Sequence, residues 1–183
     1  MQRSRYSSVA IILHWTIAVL LIGNLTVGLL FDTIEGYDKS LFFTLISLHK
    51  STGITILALA VLRLVWRLMN PPPPLPAHMT QAERVLARLS HWGFYVVMLA
   101  LPLSGWAMVS NPPKHFPMLW YGTVSIPPLP SPANWNYGGL HAILGWVALA
   151  MIVLHVAAAL KHQFMDRDDI FARMSLRRRS AGF

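Results

Sequence analysis

Six of the eight histidines in this 183-residue chain, His14, His49, His91, His141, His155 and His162, fall inside or at the ends of long apolar stretches. An imidazole in hydrocarbon is costly unless something binds it. Taken singly, each reads as a boundary residue hydrogen-bonded to water or to a neighbouring helix. The spacing of the set points elsewhere. His141 and His155 are fourteen residues apart, almost four helical turns and a rise of about 21 Å, so one helix turns both imidazoles the same way at opposite depths. Such a helix can serve two separate bound groups.

The elements that must position these residues are membrane helices. The chain is 55% hydrophobic and only 12% charged, against about 25% charged in a soluble domain. Apolar stretches at about 9–31, 41–62, 89–109 and 140–160 each suffice to cross a hydrocarbon core of about 30 Å. We expect one all-α domain, an integral-membrane four-helix bundle over residues 1–183 with a basic cytoplasmic tail at 161–183. The first stretch follows Arg3 and Arg5 but is longer than the roughly 7–15 apolar residues of a signal peptide and lacks its cleavage site, so it reads as a retained span.

Between the spans, Asp32 to Lys39 reads as a short outer loop, and Asn70 to Pro76, with its run of prolines, as a stiff extended connector. Thr80 and Glu83 have capping-box spacing ahead of the third span. Pro102 should kink that span, and Gly105 should let a neighbour approach closely. Trp120, Tyr121, Trp135 and Tyr137 lie in a nearly uncharged segment where an interfacial aromatic belt belongs.

Charge then orients the bundle. With four spans, Arg3, Arg5, Arg63, Arg67, Arg84, Arg88, Lys161, Arg167, Arg173 and Arg177 to Arg179 share one side, while Lys39 and Lys114 are the loop cations of the other. By the positive-inside rule both termini are cytoplasmic, in an inner membrane. The formal charge of +8 is matched to anionic lipid rather than nucleic acid, because the Arg177 to Arg179 run is short and juxtamembrane.

In that arrangement His14 and His155 lie near the inner face, and His49 and His141 towards the outer one. Two axial pairs emerge, and haem suits them, since opposing imidazoles complete the coordination of its iron. Zinc wants three or four ligands converging on a point. The chain has no cysteine, which excludes disulfides, iron–sulfur clusters and covalent c-type attachment, so the expectation is two non-covalent b-type haems. Gly53 and Gly145 each follow a proposed outer ligand by four residues, one turn away on the same face, where a missing side chain leaves room for a macrocycle. Ordinary helix packing uses small residues in the same way. His91 and His162 are either a substitute ligand set or the lining of a quinone site, where an imidazole can hydrogen-bond a carbonyl and pass a proton; a swap between His155 and His162 at the iron stays open. His78 and His115 read as solvent or interface residues.

The segments Ser7-x6-His14-Trp15, Ile46-Ser47-Leu48-His49-Lys50-Ser51-Thr52-Gly53, Arg63-Leu64-x-x-Arg67 with the proline run after it, His91 with Ala100-Leu101-Pro102-Leu103-Ser104-Gly105, and His141-x13-His155 with Ala157 to His162 together resemble the bacterial cytochrome b-561 family, from about Arg5 to Met174. The resemblance implies a four-helix dihaem b protein of the inner membrane with His14, His49, His141 and His155 as ligands and His162 near the quinone. It also implies a superoxide oxidase activity, in which an electron from periplasmic superoxide reaches ubiquinone. Lys50, beside His49, would attract the anion locally. A similar four-histidine scheme occurs in cytochrome b subunits that take electrons from a partner dehydrogenase or hydrogenase. In that reading Trp120, Tyr121 and Pro127 to Pro130 form a docking surface.

Overall fold

The computed structural model describes residues 5–111 and 118–175. Arg3, Lys114, His115 and Arg177 to Arg179, used above, lie outside the described residues. Helix α1 (Ser8–Leu29) begins where the Ser7 hydroxyl accepts the Ala10 N–H, and a second bond from Trp66 Nε1 at 3.0 Å ties that cap to α3 (Lys39–Met69). Residues expected as a loop instead form α2 (Phe31–Tyr37), because the run Phe31 to Tyr37 can lay itself against α3. Asp38 then starts α3 (Lys39–Met69), its Oδ1 accepting the Ser40 and Leu41 N–H groups. The carboxylate therefore satisfies otherwise unpaired donors at the positive end of the helix.

Helix α3 runs past the apolar stretch to Met69 and stops at the prolines, which cannot continue it. Its last cations are accommodated by aromatic rings: Arg63 lies 5.8 Å from the centre of Tyr95, and Arg67 5.7 Å from the same ring and 5.8 Å from Trp92. Helix α4 (Gln81–Ser110) opens with the reciprocal Thr80–Glu83 capping box and carries Pro102 within it. Helix α5 is Tyr137–Leu160 and continues as a π-helical segment, Lys161–Asp166, before the short α6 (Ile170–Arg173).

Four of these helices are long and apolar enough to cross a membrane. They support a multi-pass inner-membrane protein. Helix α1 packs on α3, α3 on α4 and α4 on α5. One layer of buried side chains joins Ile17 and Leu21 of α1 to Ile56 and Ala60 of α3 and Tyr95 and Met98 of α4. A second joins Val97 and Leu101 of α4 to Ala148 of α5. Lipid is as apolar as leucine, so association rests on close packing, which Ala60 and Ala148 permit at the contacts. Helix α5 approaches α1 and α3 less closely, with Leu25 of α1 reaching the second layer and Ile152 of α5 the first.

The bundle is closed differently at its two ends. At the hairpin end, β1 (Met118–Trp120) and β2 (Val124–Ile126) pair antiparallel about Tyr121 and Gly122, both at positive φ (45° and 74°). That is the turn a tight hairpin needs, with tyrosine in a position normally left to Asn, Asp or Gly. What holds it is the buried Ser51 of α3. Its hydroxyl accepts the Tyr121 N–H at 2.9 Å and lies 3.2 Å from the Leu119 carbonyl, and Trp120 Nε1 donates to Thr55 at 3.0 Å. The hairpin was not legible in sequence as anything but an aromatic loop.

At the terminal end, residues 161–175 are folded back rather than trailing. Trp15 Nε1 donates to the Met174 carbonyl (2.8 Å), Arg5 to the Ser175 carbonyl (2.7 Å), and Arg173 to the Pro74 carbonyl (2.7 Å). At the centre Asp168, only 5% exposed, accepts from His162 Nδ1 at 2.8 Å and His78 Nε2 at 3.2 Å through one oxygen. Burial pushes its carboxyl up, but bonds from the Ile170 N–H, His78 and His162 prevail and hold it below the usual carboxylate range.

Two outcomes follow. Ser51→Ala removes the acceptor of the Tyr121 N–H and the hydroxyl beside the Leu119 carbonyl, a loss of about 0.5–1.5 kcal/mol for a part-buried bond; hydrogen exchange should rise over 118–126 and not in the helices. A lowered folded-state carboxyl stabilises at all pH above the unfolded value and is lost only as pH falls through the folded one. A spin label at Phe171→Cys, unique in a chain without cysteine, should therefore stay immobile down to the ordinary carboxylate range at about pH 4 and loosen only below it. Asp168→Asn should mobilise it at neutral pH.

Candidate functional site

The four membrane helices bring five of the six histidines together in two groups. At the hairpin-end level His49 of α3 meets His141 of α5, ring centres 6.1 Å apart and planes at 79°. At the terminal-end level His14 of α1 meets His155 of α5, centres 6.2 Å apart at 67°. Each level brings together helices whose backbones approach less closely than those of α4 and α5. A third imidazole, His91 of α4, also stands 6.2 Å from His155. Phenylalanine edges flank both levels, Phe31 at 5.0 Å from His49 and Phe94 at 5.2 Å from His155.

Hydrogen bonding sets the tautomer at the hairpin level. His49 Nδ1 lies 3.1 Å from the Asn24 carbonyl, and His141 Nδ1 lies 3.0 Å from the Leu101 carbonyl and 3.1 Å from the Ser104 hydroxyl. A carbonyl only accepts, so Nδ1 carries the hydrogen in both rings and Nε2 is left with its lone pair. At the terminal level His14 Nδ1 is buried without a hydrogen-bond partner among the described residues. Arg63 is close enough to act electrostatically on His14, His91 and His155.

The glycines divide unexpectedly. A Cβ on Gly53 would meet Asn24 at 4.0 Å, and one on the buried Gly145 would be in ordinary contact with Leu25 of α1 at 3.7 Å, so neither lies against an imidazole. The tight glycines are Gly28 and Gly105, whose added Cβ would come within 3.0 Å of His49 Cε1 and 2.9 Å of His141 Cε1. Sequence reading assigned Gly105 only a close approach and passed over Gly28. Each lies four residues after the carbonyl that its imidazole uses, a relation that exists only once the helices have packed.

His162 does not join the ring groups. Its Nδ1 faces carboxylates, Asp168 at 2.8 Å and Asp166 at 3.1 Å, while Lys161 bridges Asp166 at 2.6 Å and Glu83 at 3.0 Å. His162, Asp166 and Asp168 bring their ligand atoms within 4.8 Å of one another, a donor set that could hold a metal ion. It offers no opposed imidazoles. Lys50 is half-buried one residue from His49 at the hairpin-end level.

Comparison with known proteins agrees with this architecture. The family described as Prokaryotic cytochrome b561 matches residues 5–175. Cytochrome b561 homolog 2 of Escherichia coli (strain K12) is 33% identical over 174 residues, spanning 93% of this chain and 90% of that protein. The Yersinia pestis protein named Probable superoxide oxidase CybB is 28% identical over 182 residues, 96% of this chain and 98% of its own length. Cytochrome b561 homolog 1 of Escherichia coli (strain K12) is 28% identical over 185 residues, with 96% and 99% covered. The chain belongs to the prokaryotic cytochrome b561 family and carries that family's type of function, electron transfer by a membrane oxidoreductase.

Proposed function

We propose that this protein is a superoxide:ubiquinone oxidoreductase with two non-covalent b-type haems, one held by His49 and His141 and the other by His14 and His155. The carrying observation is the distance within each pair. The rings of each pair face one another with centres 6.1 and 6.2 Å apart, a separation at which both imidazoles would reach one metal held between them. The lone pairs left on Nε2 at the hairpin level and the orphaned His14 Nδ1 suit that group. His91 matches the distance to His155 equally well, but α4 packs directly on α5. Helices α1 and α5 approach each other less closely than α4 and α5 do, so His14 rather than His91 would hold the group with His155.

When bound, the haems supply one-electron carriers at two depths, reachable from opposite faces of the membrane. The chain's own groups do the rest. With both termini cytoplasmic, as the cation distribution favours, the hairpin end faces the periplasm, and Lys50 there attracts the superoxide anion. Two superoxide ions yield two dioxygen molecules, and their two electrons, with two protons, convert ubiquinone to ubiquinol. At the cytoplasmic end a doubly protonated His162, its Nδ1–H on Asp168, donates its Nε2–H to a quinone carbonyl and so passes it a proton. His91 lines the same side. The exposed His78, on the same Asp168 oxygen, links His162 to solvent.

A second reading, an electron-transfer subunit fed by a partner dehydrogenase or hydrogenase, is favoured by the exposed Leu119, Trp120 and Tyr121 of the hairpin. Superoxide mixed with the purified haem-loaded chain and ubiquinone discriminates them: reduction of the haem alpha band and appearance of ubiquinol are expected, whereas a haem that superoxide leaves oxidised but ubiquinol reduces would establish the subunit reading. For the ligands, His14→Ala, His49→Ala, His141→Ala and His155→Ala should each halve the haem content, and His91→Ala and His162→Ala should keep it whole. A full complement in any of the first four would refute that assignment.

A further inference from the structure

The hairpin-level imidazoles reach their carbonyl acceptors by the same backbone device used twice, on different helices. In an α-helix the carbonyl of residue i already accepts the N–H of residue i+4, and its remaining lone pair is shielded by side chains of the following turn. Asn24 and Leu101 are each followed four residues later by glycine, Gly28 on α1 and Gly105 on α4. These two have ring atoms of the paired imidazoles where a Cβ would stand, at 3.0 Å from His49 Cε1 for Gly28, and at 2.9 Å from Cε1 and 3.1 Å from Nδ1 of His141 for Gly105. Any side chain there would lift the imidazole off the helix and stretch its bond to the carbonyl behind it.

The two occurrences are independent, since α1 receives the imidazole of α3 while α4 receives that of α5. They flank the same level from both sides. At the terminal level the buried His14 Nδ1 has no such acceptor among the described residues.

We propose that Gly28 and Gly105 are positioning residues for the hairpin-level haem: by baring the Asn24 and Leu101 carbonyls, they fix the tautomer and strengthen the donor character of the His49 and His141 Nε2 atoms. The inference rests on the reading that those two histidines are axial ligands. A donated Nδ1–H makes the opposite nitrogen a better base, and a more basic ligand favours the oxidised iron. The hairpin-level haem therefore releases its electron more readily than it would with unsupported imidazoles, which is the sense required of a carrier that passes electrons on.

The test uses the purified, haem-loaded full chain with Gly28→Ala, Gly105→Ala and, as a control, Gly23→Ala, where an added Cβ meets nothing within 4 Å. Redox titration at the alpha band, normalised to the haem retained, and the low-spin electron paramagnetic resonance of the oxidised form are the readouts. The wave that His49→Ala abolishes should move to higher potential in both glycine variants, with a changed low-spin signal, while the other wave and the Gly23→Ala protein match wild type. Selective loss of that one haem in either alanine variant, with Gly23→Ala intact, would report the same steric coupling. Unmoved waves at full occupancy, or equal shifts of both waves, would overturn the inference. If His49→Ala and His141→Ala keep two haems, the ligand reading itself fails; if they lose one and the glycine variants behave as wild type, only the positioning role falls.

Discussion

An imidazole placed in hydrocarbon has two nitrogens to satisfy and no water to satisfy them, and the bundle is arranged around that demand. At the hairpin level one nitrogen of each ring is discharged onto a helix carbonyl, at 3.1 Å for His49 and 3.0 Å for His141. The other nitrogen is left for whatever lies between the facing rings. Neither bond uses a polar side chain imported into the membrane as the main acceptor. At Asn24 a carbonyl that already serves its own helix offers its second lone pair; at Leu101 the carbonyl also takes the Ser104 hydroxyl at 2.7 Å, and that hydroxyl stands 3.1 Å from His141 Nδ1 as a second acceptor.

The same demand shapes the packing. Helices α1, α3 and α4 share a close-packed layer built on Ile17, Ile56, Ala60 and Met98, and α5 is fastened mainly through α4 at Ala148. Towards α1 and α3, α5 presents its two imidazoles together with Ile152, and Leu25 of α1 reaches the Ala148 layer. A bundle closed on all sides would bury the rings and exclude any macrocycle. A bundle without the α4–α5 contact would have nothing to hold α5 at a fixed separation.

The ends of the bundle do different work with ordinary polar chemistry. The hairpin is held by one serine hydroxyl that reaches backbone groups of both its first strand and its turn, and the positive φ of Tyr121 is sustained by that anchorage. The terminal segment is gathered onto Asp168, which takes one bond from the shielded His162, 12% exposed, and one from the open His78, 59% exposed. A nearly buried carboxylate between a sheltered and a solvated imidazole joins the interior of that end to the aqueous phase.

Depth was legible in the sequence, because along a membrane helix it is a matter of counting residues at about 1.5 Å each. The hydrophobic lengths, the capping box at Thr80 and the vertical levels of His14, His49, His141 and His155 all come from such counting. Rotation of one helix about its axis relative to the next is set by side-chain interlocking between helices, and no one-dimensional pattern carries it. That is why the tertiary structure alone decided that His91 also faces His155, that His162 turns away to Asp168, and that Gly28 and Gly105, rather than Gly53 and Gly145, lie under imidazole rings. Likewise the docking of a tyrosine-bearing hairpin on Ser51 and the return of residues 161–175 onto Trp15 and Pro74 depend on hydrogen bonds across 60 to 160 residues of chain, roughly the span from Ser51 to Tyr121 or from Trp15 to Met174. Local propensity has no access to partners that far away, because their proximity exists only once the helices have packed.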